Sequence, residues 1–374
     1  MQLSVVILNY NVRFFLEQCI KSVQKATQNL SAEIIVIDNN STDNSCEMVK
    51  LLFPNVILIE NKENAGFPKG NNIGVEKAKG KYICILNPDT VVAEDTFEKV
   101  LAYAEKQSNL GIVGCKLIDG TGNFLPESKR GIPTPWVAAT KIFGLYKISN
   151  LFGKYYAQHL SENETGKVEI LVGAFMVLKR ELYNEIGGFD ENCFMYSDDI
   201  DLSYMALQKG KSNYYFHETT VIHYKGESTV RDEKYMKRFQ EAMQFFYKKH
   251  FKKSVVFDYF MKVGAFTFSF LKKNKKTEVK KEIKEYVIFS KNNLQFDLGK
   301  KELCFDDFSK FKNDFSTTTE IIFDTNSFSF HDIIKFMNFN NAVNLTFKNY
   351  IPASNYLIGS NNSIDRGEIL HIKN

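Results

Sequence analysis

The stretch Phe194-Met195-Tyr196-Ser197-Asp198-Asp199-Ile200-Asp201-Leu202 packs three carboxylates into four positions between large apolar residues. Carboxylates at that density serve three kinds of chemistry. They open a helix against its positive end, with Ser197 as the N-cap; they hold a metal ion; or they exchange protons with a substrate. At a helix start, Asp198 and Asp201 share a face by their i, i+3 spacing, whereas Asp199 points elsewhere. The stretch alone leaves all three uses open.

Further polar residues follow short apolar runs. Asn9-Tyr10-Asn11 comes after Leu3–Leu8, and Asp38-Asn39-Asn40-Ser41-Thr42-Asp43 comes after Glu33–Ile37. Asn61 to Asn72, with Asn64, Gly66, Lys69 and Asn72, comes after Val56–Ile59, and Asn87-Pro88-Asp89-Thr90 comes after Tyr82–Leu86. Singly, each is ordinary turn chemistry. Together they line one crevice if the runs are parallel strands, because ligands bind beyond the carboxyl ends of such strands.

The elements needed to position them are legible. Buried-strand runs alternate with amphipathic helices expected at 12–23, 43–53, 72–78 and 93–107, the pattern of a parallel α/β sheet. From Ile112 to about Ile170 the pattern loosens, with a hairpin turn at Gly120–Asn123. A strand is expected over Glu169–Leu178, and Gly173 within it marks a close approach of backbone or ligand. A helix ending at Gly187-Gly188, a strand at Asn213–Phe216, a loop at His223–Thr229 and a helix from Asp232 to Lys249 complete this part. Val255–Leu271 is apolar and aromatic but holds Asp258 and Lys262, with lysines at both ends. It reads either as an interfacial helix on an anionic membrane or as a helix packed on the protein's own surface. Strand-like pieces at 286–289, 321–323 and 343–347 flank a helical 332–337, a small α+β appendage without a catalytic constellation.

Bulk composition narrows the class. At 374 residues, more than one domain is expected: 1–250, a segment 251–285, and 286–374. A net charge of +4 does not point to nucleic acid. Six scattered cysteines without CxxC pairing argue against zinc or a disulfide framework and fit a reducing cytosol. Met1-Gln2-Leu3 runs straight into a strand, so no signal peptide is expected.

With the crevice loops and the acidic stretch taken together, the chain resembles family 2 glycosyltransferases of the GT-A fold, in the rhamnosyltransferase-like bacterial branch. The matching segments are Val5–Asn11, Val36–Asp43, Asn64–Phe67, Leu86–Thr90, Gly187–Glu191, the acidic stretch and His223–Ser228, in family order over roughly residues 3–250. The resemblance implies a mixed, mostly parallel sheet with flanking helices, and inverting transfer of a sugar from a nucleotide-diphosphate donor, dTDP-rhamnose or UDP-hexose in type. The acceptor would be a hydroxyl of a growing, lipid-linked glycan of the cell surface, at the cytoplasmic face of the inner membrane. It makes Asp89 the metal contact for Mg2+ or Mn2+, with His223 completing the metal site. It makes Asp199 the base and Asp198 its neighbour, an Asp where the family has Glu. Leu8, Asn9, Tyr10, Asp38, Asn40, Asn64, Gly66, Lys69, Asn72, Asn87 and Asp89 border the donor, with Asp38 accepting from the base N–H. Gly173 and Ala174 lie toward the acceptor. Asp43 caps the helix after it, Asp201 serves its own helix, and Lys129-Arg130 either counter diphosphate charge or form a solvated turn.

One departure stands out: Met205 occupies the family's Arg position, which removes an expected carboxylate partner. Two alternatives remain, a catalytically weakened sugar-nucleotide-binding or scaffold protein and a nucleotidyltransferase. The latter's glycine-rich, basic N-terminal signature is absent.

Overall fold

Short apolar runs rich in β-branched residues form the first strands. The computed structural model describes residues 1–372 except 135, 138–139, 141–143, 226–232, 252–281, 293, 313–315 and 362–366. Leu3–Asn9 (β1), Ala32–Asp38 (β2), Ile57–Glu60 (β3) and Tyr82–Leu86 (β4) pair in parallel in the order β3-β2-β1-β4. Successive side chains of β1 divide between two cores: Val5 and Ile7 pack with Leu16, Cys19, Phe97 and Val100, while Val6 and Leu8 pack with Val75, Leu202 and Ala206. Burial on both faces is why β1, β2 and β4 read as continuous apolar runs, whereas the edge strand β3 is partly exposed. The helices concerned are Arg13–Ala26 (α1), Ser45–Leu52 (α2), Gly66–Lys77 (α3) and Thr96–Glu105 (α4).

Beyond β4 the sheet becomes mixed. Thr90–Val91 (β5), Leu110–Ile118 (β6), Gly166–Val168 (β7), Phe175–Lys179 (β8) and Ser212–His223 (β9) continue it in the order β4-β8-β6-β9-β5, with β7 paired to β9. β8 runs antiparallel to both β4 and β6, and β6 and β9 are parallel. Three expectations change here. The loosening expected from Ile112 conceals β6, which is buried throughout; the charge that breaks its pattern, Lys116, is satisfied by Glu162 at 3.1 Å and Asn163 at 2.8 Å. β9 does not stop at Phe216 but reaches His223. The strand expected from Glu169 begins only at Phe175, and Gly173-Ala174 form the turn before it. Arg180–Glu185 (α5), Asp198–Gln208 (α6) and Glu233–His250 (α7) follow.

A second sheet contains Glu285–Phe289 (β10), Lys301–Phe305 (β11), Thr319–Asp324 (β12) and Leu345–Ile351 (β13), parallel in the order β11-β10-β12-β13. Tyr356–Gly359 (β14) and Glu368–His371 (β15) extend it antiparallel, and Phe330–Phe339 (α8) covers one face. The appendage shares a core with the first sheet, where Val12, Phe15, Val91, Ile118 and Tyr224 pack with Phe330, Ile333, Phe347 and Ile358. The Lys-flanked apolar stretch Val255–Leu271 lies outside the described residues. Among those described, no helix is long and apolar enough to cross a membrane.

Candidate active site

The acidic stretch opens α6 as expected, but its side chains do different work from simple helix capping. Ser197 stands at the N-cap without a side-chain cap bond, its Oγ 3.2 Å from Cys193 Sγ. Asp199 Oδ2 accepts from Arg130 Nη2 at 2.5 Å and from the Gly173 backbone N–H at 3.1 Å. Burial alone would lower the Arg130 pKa, but the Asp199 carboxylate more than offsets it, and the guanidinium sits above its ordinary value. Arg130 therefore neither forms a solvated turn nor waits for diphosphate. Lys129 is likewise buried, donating to the carbonyls of Tyr156, Ala157 and Leu160.

Asp198 has no such cation in contact. It is buried, its Oδ1 has no hydrogen-bond partner, and burial followed by the Asp199 charge pushes its carboxyl up to about 7. A carboxyl in that range is poised to take a proton at neutral pH. The backbone just before it is strained: Tyr196 has φ 81°, the left-handed region that a bulky side chain rarely adopts. Gly173 packs closely on the acid pair, since a Cβ there would meet Asp199 Cβ at a tight 3.3 Å and Asp198 Oδ2 at 3.8 Å.

The next residue of that turn reaches the second cluster. Ala174 O accepts from the Asn87 backbone N–H at 3.0 Å, so one two-residue turn ties Asp199 to the Asn87-Pro88-Asp89 loop. Just after that loop, β5 pairs antiparallel with the end of β9, Thr90 opposite His223. This brings His223 Nε2 to 3.4 Å from Asp89 Oδ1 and 3.4 Å from Asn87 Nδ2. Asn87 Oδ1, Asp89 Oδ1 and His223 Nδ1 are buried and carry no hydrogen bond. Buried polar atoms are normally satisfied, so the orphaned oxygens of Asn87 and Asp89, with His223 Nε2 beside Asp89, fit a divalent cation such as Mg2+ or Mn2+. Among the described residues no group of three or more His, Cys, Asp or Glu is gathered around one point, so further ligands would come from a bound substrate or water.

The remaining crevice residues divide. Asn9 donates to Asp38 Oδ1 at 2.7 Å and to Ser41 Oγ at 3.1 Å, leaving its own buried Oδ1 without a partner. Asp38 Oδ2 accepts from Ser41 N, so both its oxygens already hold the loop. Asp43 ties α1 to α2, accepting from Arg13 N and from Ser45 N and Oγ. Asn64 folds its own turn by accepting from Gly66 N, and Asn39 donates to both residues. Gly66 has φ +81°, and a Cβ there meets the Phe194 ring and carbonyl at 2.9 Å, locking this loop to the acidic stretch. Tyr10, Asn40 and Lys69 are exposed at the crevice rim. Leu8 is core, packed beneath Gly70. Asn72 is also spent on structure: it accepts from Tyr183 Oη and Phe189 N and donates to Phe189 O and Glu191.

Sequence reading missed the partner of Asp201. Lys249 Nζ lies 2.7 Å from Asp190 Oδ2, 2.8 Å from Asp201 Oδ2 and 3.7 Å from Met205 Sδ, and His250 Nε2 lies 2.5 Å from Asp201 Oδ1. Asp201 thus fastens α7 to α6 instead of serving its own helix, and a cation from α7 occupies the surroundings of Met205. No local signal links residues 48 apart. Lys249→Met is expected to destabilise the fold by about 1–3 kcal/mol, since it leaves the buried Asp201 Oδ2 without its cation and only His250 on the other oxygen. Met205→Arg added to it recovers part of that loss, because a guanidinium grown from position 205 reaches the same acids. Denaturant melts of both variants check this; a double variant no more stable than the single one refutes it.

With this geometry in place, similarities to known proteins are informative. The profile of the family described as "Glycosyl transferase family 2" matches residues 4–187. An N-acetylglucosaminyl-diphospho-decaprenol L-rhamnosyltransferase of Mycobacterium tuberculosis is 25% identical over 241 residues, covering 62% of this chain and 78% of that protein. The minor teichoic acid biosynthesis protein GgaB of Bacillus subtilis is 28% identical over 214 residues, covering 56% of this chain and 21% of that one. Among solved structures, a mannosyltransferase of Pyrobaculum calidifontis in complex with GDP-Man and Mn2+ is 15% identical with a TM-score of 0.48, covering 74% of this chain and 76% of that one.

Proposed function

From the match of residues 4–187 to the family 2 glycosyltransferase profile, we propose that the protein transfers a sugar, with inversion, from a nucleotide-diphosphate donor to a hydroxyl of a bacterial cell-surface glycan under construction. The observation that carries this reading is the Gly173-Ala174 turn, which joins the acid pair to the Asn87-Pro88-Asp89 loop. An acceptor-activating group and a diphosphate-binding group must flank the same anomeric carbon, and this turn holds both.

The acceptor oxygen attacks the anomeric carbon as the bond to the diphosphate breaks, and its proton passes to the acid pair. Asp199 is the base, aimed by Arg130 and the Gly173 N–H. Asp198, buried beside it and pushed up by burial and then by the Asp199 charge, shares the proton load. A divalent cation held by Asp89 and His223 would supply Lewis-acid neutralisation of the departing diphosphate. Asp38 would accept from the nucleotide base N–H, since its carboxylate keeps acceptor capacity beyond the single bonds to Asn9 and Ser41.

The donor is of dTDP-rhamnose or UDP-hexose type. The similarity to a transferase acting on a decaprenyl-linked sugar favours a lipid-linked acceptor and a peripheral station at the inner membrane face, where the lysines around 252–276 would meet anionic headgroups. Incubation with UDP- and dTDP-sugars plus Mg2+ or Mn2+ tests the reading. Slow donor hydrolysis with one of them, suppressed by EDTA, is expected. Saturable donor binding without any turnover would favour a binding or scaffold protein instead.

A further inference from the structure

The second sheet abuts the cation-binding loop. Tyr224, the residue after His223, is 2% exposed and donates its backbone N–H to Asp89 O at 3.0 Å. Its ring packs edge-on against Phe15 with centroids 5.0 Å apart, and its hydroxyl accepts from Asn349 Nδ2 of β13 at 3.2 Å. On the other side of Asp89, Val91 of β5 and then Ala93 enter the shared core with Phe330, Ile333 and Met337. Glu94 fixes that exit by accepting from the first backbone N–H groups of α8, Phe330 at 2.9 Å and His331 at 2.8 Å. The two strand ends that carry Asp89 and His223 are therefore each gripped by the C-terminal sheet.

We propose that the C-terminal domain is a positioning element of the active site: through Asn349 on Tyr224 and α8 on Glu94 it sets the register of β5 against β9, and so the spacing of Asp89 and His223. This rests on the reading of that pair as a cation site. It gives residues 285–371 a function without assigning them any chemistry. A partner behind the ligands is a common means of tuning metal affinity.

The test is Mn2+ binding to the full chain in the presence of UDP or dTDP, followed by the EPR signal of free Mn2+, for wild type, Tyr224→Phe, Asn349→Ala and Phe296→Ala. Phe296 packs with Ile288, Ile322 and Leu357 in the appendage's other core, away from Tyr224. Tyr224→Phe and Asn349→Ala are expected to weaken Mn2+ binding by about tenfold, raising the Mn2+ needed for half-maximal turnover more than they lower kcat at saturating Mn2+. Phe296→Ala lowers the melting temperature and leaves Mn2+ affinity in place. Wild-type affinity in both Tyr224→Phe and Asn349→Ala, or an equal loss in Phe296→Ala, overturns the positioning role alone. Failure of the wild type to bind Mn2+ with either nucleotide overturns the cation site, and the inference with it.

Discussion

Asp199→Asn is expected to lower kcat by roughly 10²- to 10⁴-fold, the contribution of a positioned general base, with a much smaller change in donor KM. An amide oxygen at 199 still accepts from Arg130 and from the Gly173 N–H, so the turn that carries the acceptor side of the site persists. Lost with the substitution are the negative charge and the capacity to hold a proton. Arg130, with a side chain only 11% exposed, then loses its counter-charge, and breaking such a pair costs about 3–5 kcal/mol. The variant should therefore melt several degrees lower while remaining folded. Steady-state transfer assays together with a thermal melt separate the two effects. Full transfer activity in a folded Asp199→Asn protein would falsify the assignment of the base.

The contrast between Asp199 and its surroundings shows what a sequence can convey. Crevice loops are contiguous, so Asn87-Pro88-Asp89, Asp38 to Asp43 and the acidic stretch announce themselves, and the strands feeding them are unbroken apolar runs. Arg130 lies 69 residues from Asp199, and Lys249 and His250 lie almost fifty from Asp201. Nothing local distinguishes these bases from surface charges. The Lys129-Arg130 pair misled for the same reason, since its environment is made by carbonyls at 156–160 and by a carboxylate on α6.

Irregular strands were lost by a similar route. β6 contains Gly111, Gly114 and Lys116, each a strand-breaking signal on its own. Each is answered by a distant group: Gly111 and Gly114 by the close approach of Asn213 and Leu171, and Lys116 by Glu162. β9 carries a register shift opposite Cys115 and Lys116 that interrupts its alternation between Phe216 and Thr220. Asn72 presents the converse case. Its place in a polar loop implied a ligand contact, yet all its hydrogen-bonding capacity goes to the 183–191 segment. Whether a polar residue faces a ligand or its own chain depends on what the fold brings opposite it.

Asp198→Asn should make the protein more stable at high pH and less active, two effects with one cause. In the folded chain burial holds the Asp198 carboxyl up to about 7, whereas unfolded it ionises near 3.9. Between those values the native state keeps a proton that the unfolded state releases. Stability from this group is thus full below the unfolded pKa and declines as pH rises, until the buried carboxyl has ionised above about 7. Asparagine cannot ionise, so the variant escapes that decline. Its melting temperature should exceed wild type by several degrees at pH 8, and the gap should shrink towards pH 5. Catalysis moves the other way: Asp198 can share the acceptor's proton with the base Asp199 only when it is itself unprotonated, so wild-type kcat/KM should rise with pH through about 7, and Asp198→Asn should lose most of that limb. Melts and rates from pH 5 to 8.5 check both. A melting-temperature gap that ignores pH would show that the carboxyl does not titrate there. The desolvation that burdens the fold is also what gives Asp198 its proton affinity at neutral pH, a trade of stability for activity commonly made at active sites.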